Sequence, residues 1–146
     1  MRGCRLLQDR RGATAVEFAL VVLPLLMLII GTIALGVRLW AWQVLTAAAA
    51  DAARCAGIDA ASCANVATSA AATRTYAVSA AATRGFTGLA TGDVTVSTGT
   101  TAQAACKGTS ASVVYVSLSY TYGSWTSVVP LPTTISGSAC FPLASS

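Results

Sequence analysis

The sequence predicts an α+β chain: a long N-terminal transmembrane helix continues into an Ala-rich external helical region, packed on a small antiparallel sheet. Three observations predict it. Between Phe18 and Val37 no residue is charged, and Leu, Ile and Val dominate. From Leu39 to Ala56 the chain is rich in Ala, the best helix former, with no strong breaker. Beyond Gly85 the apolar period shortens to two.

The uncharged run is the first element. About twenty residues at about 1.5 Å rise span about 30 Å, the thickness of a bilayer's hydrocarbon core. A core helix of a globular domain is rarely so long and so apolar on every face. Composition agrees, because 55% hydrophobic and 10% charged residues are high and low for a soluble domain. Arg2, Arg5, Arg10 and Arg11 precede the run against Asp9, whereas Arg38 alone follows it closely. Lys/Arg excess stays in the cytoplasm, so the N-terminus is expected inside and the bulk of the chain outside. Trp40 and Trp42 then fall where an outer aromatic belt belongs. The first twelve residues carry +3 of the +4 net charge, so the basic balance reports topology and no nucleic-acid partner is expected.

After the run the helix is expected to continue to Ala56, where Asp51 and Arg54 share a face and can pair. Gly57 interrupts it. Asp59 is the expected N-cap of a second Ala-rich helix ending at Gly85. The hexapeptide Ser-Ala-Ala-Ala-Thr-Arg occurs at 69–74 and again at 79–84. Ten residues turn a helix by about 1000°, so the copies do not share a face, and low-complexity drift explains them better than a solenoid.

The β region follows. Val94 and Val96 alternate with Thr95 and Ser97 as a short strand. Val114, Val116, Leu118, Tyr120 and Tyr122 line one face of a second strand, with Tyr115, Ser117, Ser119 and Thr121 opposite. The polar stretch 98–111 between them is expected to be a loop. Pro130 and Pro132 limit any strand there to an edge, and Ile135 marks a third short strand before Cys140.

Five cysteines stand at Cys4, Cys55, Cys63, Cys106 and Cys140. With Cys4 on the cytoplasmic side, four remain in an oxidising compartment and read as two disulfides. Three pairings are open. Cys55–Cys63 and Cys106–Cys140 are favoured because each pair brackets a break signal. Two bridges would compensate a thin, Ala-rich core.

The N-terminal segment carries the most information. The apolar stretch is too long for an ordinary secretory signal. Gly-Ala-Thr after Arg10-Arg11 lacks the bulky apolar residues usual in a twin-arginine signal. Arg10-Arg11-Gly12-Ala13-Thr14-Ala15-Val16-Glu17-Phe18, set before an unbroken apolar helix, resembles the prepilin signature of type IV pilins and pseudopilins. In that family a basic leader ends in Gly, cleavage follows the Gly, and Glu is the fifth mature residue. Counted from Ala13, Glu17 is the fifth. Leu23-Pro24-Leu25-Leu26, Gly36, Leu39-Trp40 and Ala50-Asp51-Ala52-Ala53-Arg54 narrow the resemblance to the TadE-like domain, over Arg11 to Arg54.

The resemblance implies a non-enzymatic minor pilin or pseudopilin of the tight-adherence (Flp) pilus. Such a protein is anchored in the bacterial inner membrane and takes part in pilus assembly without a cofactor. Its partners would be the lipid bilayer, a prepilin peptidase cutting between Gly12 and Ala13, other pilin subunits and the assembly machinery. It implies that Glu17 meets the new amino terminus of a neighbouring subunit. The chemistry is sound: a carboxylate within a membrane costs about 2.5–3.5 kcal/mol at a helix centre and needs a partner. The plain alternative is that the helix macrodipole favours Glu17 at a helix start. Pro24 removes one backbone donor and marks an expected kink.

The expected organisation is a leader at 1–12, a transmembrane helix at 13–38 within the TadE-like segment 11–54, external helices at 39–85 and a disulfide-stabilised β region at 86–146. An uncleaved single-pass envelope scaffold and a pilus-associated adhesin are the alternatives. The chain has no His, and Asp51, Asp59 and Asp93 are its only acids on the expected external side. It offers no phosphate-binding Gly motif and no visible base for a Ser nucleophile, so catalytic, cofactor and metal sites are not expected.

Overall fold

A computed structural model describes residues 10–58, 60–63, 70–107, 112–122 and 133–143. The elements are α1 (Arg10–Gly57), α2 (Ala71–Thr83), a 3-10 turn (Thr91–Asp93), β1 (Val94–Thr98), α3 (Gly99–Ala105), β2 (Val113–Thr121) and β3 (Thr134–Pro142). The architecture is α+β, as the periodicities predict. The chain divides into two compact units, Met1–Val37 and Arg38–Ser146.

In the first unit α1 presents apolar side chains on all sides. Phe18, Leu20 and Met27 are each 70% exposed. Among the described residues α1 contains the one helix long and apolar enough to cross a membrane, and its most apolar stretch is not buried by the chain itself. An apolar surface of this extent calls for lipid or for partner helices. It fits a single-pass membrane protein.

In the second unit the same helix becomes one-sided. Ala41, Val44, Leu45, Ala48, Ala49, Ala52, Ala53 and Ala56 are buried, recurring at the three- and four-residue spacing of one helical face. They join a core with Val114, Val116 and Leu118 of β2 and Ile135 of β3. A buried methyl contributes about 0.8 kcal/mol, against about 1.5–3 kcal/mol for a whole Leu or Val, so this Ala-built face stabilises little per residue. Small side chains also allow close approach. At Gly137 a Cβ would stand 2.6 Å from the carbonyl carbon of Leu45, so β3 lies almost against the helix backbone.

The sheet is antiparallel in the order β1-β2-β3. Its register sets Val94 beside Leu118 and Leu118 beside Gly137, and likewise Val96 beside Val116 and Val116 beside Ala139. Apolar rows therefore cross all three strands on the face toward α1. β3 alternates cleanly, with Thr134, Ser136, Ser138 and Cys140 exposed between Ile135, Gly137, Ala139 and Phe141. α2 packs against β1 and buries Thr73, Ala77, Ala80 and Ala81. It ends in a left-handed Gly85, φ +87°, where the amides of Gly85 and Phe86 donate to the carbonyls of Ala82 and Ala81. This double bond pattern satisfies carbonyls that a helix end otherwise leaves open.

Four local expectations need correction. The second helix begins at Ala71; residues 61–63 form a turn, closed by Ala60 N–H donating to Cys55 and Cys63 N–H donating to Ala60. Asp59, the expected cap, lies outside the described residues. The stretch 98–111 is not all loop, because Gly99–Ala105 forms α3. Its Ala and Gln are good helix formers, and Ala102 is buried where α3 packs on β1 and β2. The third strand is not short; β3 has nine residues and runs through Cys140, because β2 offers a partner along its whole length. Finally, Asp51 pairs with Arg84, not with Arg54. Pro130 and Pro132 fall outside the described residues.

Candidate functional site

The candidate residues of the apolar segment lie on one uninterrupted helix. Gly12 and Glu17 are exposed, and a Cβ at Gly12 would meet nothing within 4 Å. Ala13 and Glu17 are four residues apart, about one turn, so their backbone positions fall on the same side of α1. The flanking Val16 and Phe18 are exposed, which surrounds the carboxylate with apolar groups but leaves it open to a partner. Pro24 lies inside the helix, and helical structure continues on both sides of it. Lacking an N–H, it leaves the carbonyl of Leu20 without its helical donor.

The segment after Arg38 is held by covalent and polar fastenings. Cys55 is bonded to Cys63, with Cα atoms 5.8 Å apart, and pins the turn after α1 to the last turn of the helix. Cys106 is bonded to Cys140, with Cα atoms 6.0 Å apart, and ties the end of α3 to β3. Arg84 donates to the carbonyl of Ala80 at 2.8 Å and to the carboxylate of Asp51. Tyr76, Ser79 and Thr83 line a shallow groove beside this pair. Among the described residues no cluster of three or more potential metal ligands occurs.

An aromatic series was not legible in the sequence. Trp40 lies 6.2 Å from Phe86 between ring centroids; Phe86 meets Tyr120 edge-on at 5.0 Å, and Tyr120 meets Tyr122 edge-on at 5.0 Å. Such contacts add about 0.5–1.5 kcal/mol each beyond the area they bury. Burial raises the Tyr122 pKa; the neighbouring Tyr120 raises it further, while Arg38 acts in the opposite sense. The alternation of Tyr120 and Tyr122 signalled a shared face, but no local pattern signals Trp40 or Phe86 as their neighbours.

The match to known proteins falls on α1. Residues 12–54 match the family model described as TadE-like protein. Over this segment, less than a third of the chain, the sequence is similar to TadE-like proteins. The TadE-like match starts at Gly12, runs through Glu17 and Pro24, and stops at Arg54, just before the disulfide-bonded Cys55. Such a match is consistent with a protein of the Tad/Flp pilus system. No curated protein and no solved structure matches the chain. The sheet and its disulfides thus lie beyond the TadE-like part.

Proposed function

We propose that this chain is a minor pilin or pseudopilin of the Tad (Flp) pilus, anchored in the bacterial inner membrane with its N-terminus in the cytoplasm. One observation carries the reading: the TadE-like match begins at Gly12 and includes Glu17, on a helix whose most apolar stretch is not buried by the chain. Cleavage between Gly12 and Ala13 by a prepilin peptidase removes the basic leader and leaves an ammonium at Ala13. Glu17 of one subunit then meets the new amino terminus of a neighbour, and the exposed apolar face of α1 packs with other pilin helices. The folded unit after Arg38, held by two disulfides, initiates, caps or decorates the fibre. Its size beyond the helix suits a minor subunit, because the major pilin of these systems is short after processing.

N-terminal sequencing of the chain from piliated cells is the direct test. The expected mature terminus is Ala13, and Gly12→Val is expected to leave the precursor uncut. Glu17→Gln separates assembly from processing. The amide keeps the size and removes the charge, so the variant is expected to be inserted and cut yet depleted from pilus fractions. A correctly cut Glu17→Gln chain that enters those fractions normally would reduce Glu17 to an interfacial helix-start residue.

A further inference from the structure

We infer that the folded unit rests on the membrane it emerges from, with Arg38, Trp40, Trp42, Tyr120 and Tyr122 forming its seat in the lipid headgroup layer. The inference depends on the single-pass reading of α1 but not on the pilin assignment. Arg38 is the first residue after the uncharged run, and Trp40 follows two positions later. At about 1.5 Å per helical residue, Trp40 is within about 5 Å of the end of that run along the helix. The headgroup region is where Trp and Tyr rings partition, because each has an apolar body and one polar tip.

The second observation is tertiary. Phe86, from the turn after α2, bridges Trp40 to Tyr120 and is itself buried. Residues remote in sequence are thereby gathered at the level of Trp40. Gly88 makes room for Tyr120, whose hydroxyl would stand 3.0 Å from a Cβ there. Trp40 and Trp42 remain about half exposed, at 46% and 50%, although both are large and apolar. Tyr120 and Tyr122, linked to Trp40 through Phe86, are partly exposed.

The opposite end of the sheet is different. Tyr115 pairs in register with Cys140, and the next residue of β3, Phe141, would contact a Cβ at Gly57, at the far end of α1 from Arg38. The two half-exposed Trp residues, Trp40 and Trp42, thus stand at the end where the chain enters the apolar run, whereas Tyr115 and Phe141 at the other end are only partly exposed. Arg38 supplies a charge of the sign that suits this occupant, since a guanidinium pairs well with lipid phosphate.

The test uses the full chain in vesicles of phosphatidylethanolamine and phosphatidylglycerol, doped with phosphatidylcholine bearing a headgroup nitroxide. In chains with a single Trp, made by replacing the other Trp residues with Phe, Tyr122→Trp is expected to lose most of its emission, as Trp42 does. Tyr115→Trp is expected to keep its emission. If Tyr122→Trp keeps its emission while Trp42 loses it, the seat is wrong and the single-pass reading stands. If Trp42 also keeps its emission, the membrane span itself is wrong. The natural chain provides a measurement free of substitutions. A gadolinium-chelating lipid headgroup should broaden the ring resonances of Tyr120 and Tyr122 and spare Tyr115; equal sharpness of all three would overturn the proposal.

Discussion

The guanidinium of Arg84, at the end of α2, bonds the carboxylate of Asp51 on α1, joining two helices through residues 33 apart in sequence. Both side chains are more than a third exposed, at 36% and 45%. The pair orients α2 more than it stabilises the fold, since exposed pairs contribute about 0–1 kcal/mol and weaken with salt. Asp51→Asn is therefore expected to lower stability by less than about 1 kcal/mol, with the loss shrinking at high ionic strength. Denaturant unfolding at low and high salt checks this; a large, salt-independent loss would assign Asp51 a different role.

Gly137 is expected to be among the least replaceable residues of β3. A methyl there would be driven into the backbone of Leu45 and Thr46, which cannot move aside as a flexible side chain can. Gly137→Ala should cost at least the ~1–3 kcal/mol typical of overpacking, or separate β3 from α1. Gly92→Ala, where a Cβ meets nothing within 4 Å, is the control and should leave the unfolding midpoint nearly unchanged. Equal effects at the two positions would contradict the close approach of strand and helix.

Peptide mapping without reductant should recover Cys55 joined to Cys63 and Cys106 joined to Cys140. On the chain-entropy model, loops closed over separations of 8 and 34 residues stabilise by roughly 2.5 and roughly 4 kcal/mol. Replacing Cys106 and Cys140 together by Ser is thus expected to cost more than the same change at Cys55 and Cys63. Four free thiols in material from an oxidising compartment would refute both bridges.

The raised pKa of Tyr122 fixes the sign of an alkaline effect. The folded unit favours the neutral phenol, so this contribution is complete below the ordinary tyrosine value of 10.0 and is lost as pH rises through the higher folded value. In an ultraviolet titration of the folded chain, Tyr122→Phe should remove absorbance change from the most alkaline part of the curve. It should also make stability above pH 10.0 less sensitive to pH. Loss of signal from the early part of the titration would show that Tyr122 ionises freely.

The apolar run, the helical stretch to Ala56 and the strand from Val114 are local periodic properties. A period of two or near four restricts which backbone can bury those residues, whatever else the chain does, so the sequence by itself determined these elements and their α+β class. The Gly12–Glu17 spacing, and the TadE-like resemblance it carries, are legible for the same reason: they depend on neighbours along the chain.

Other features depend on which distant surfaces meet, and these the tertiary structure decided. Asp51 has a local candidate in Arg54, yet packing of α2 brings Arg84 to it instead. Residues 99–105 are polar enough for a loop, but the burial of Ala102 on the sheet draws them into α3. Ile135 alone hinted at β3, whereas the full length of β2 supplied its hydrogen-bond partners. Gly137 is unremarked in sequence and decisive in packing, because its role is defined by the helix backbone opposite. The same holds for Phe86, whose place between Trp40 and Tyr120 exists only when three elements converge. Local patterns specify elements because they bias each backbone alone; partners across the fold are chosen by burial, which no short stretch of chain contains.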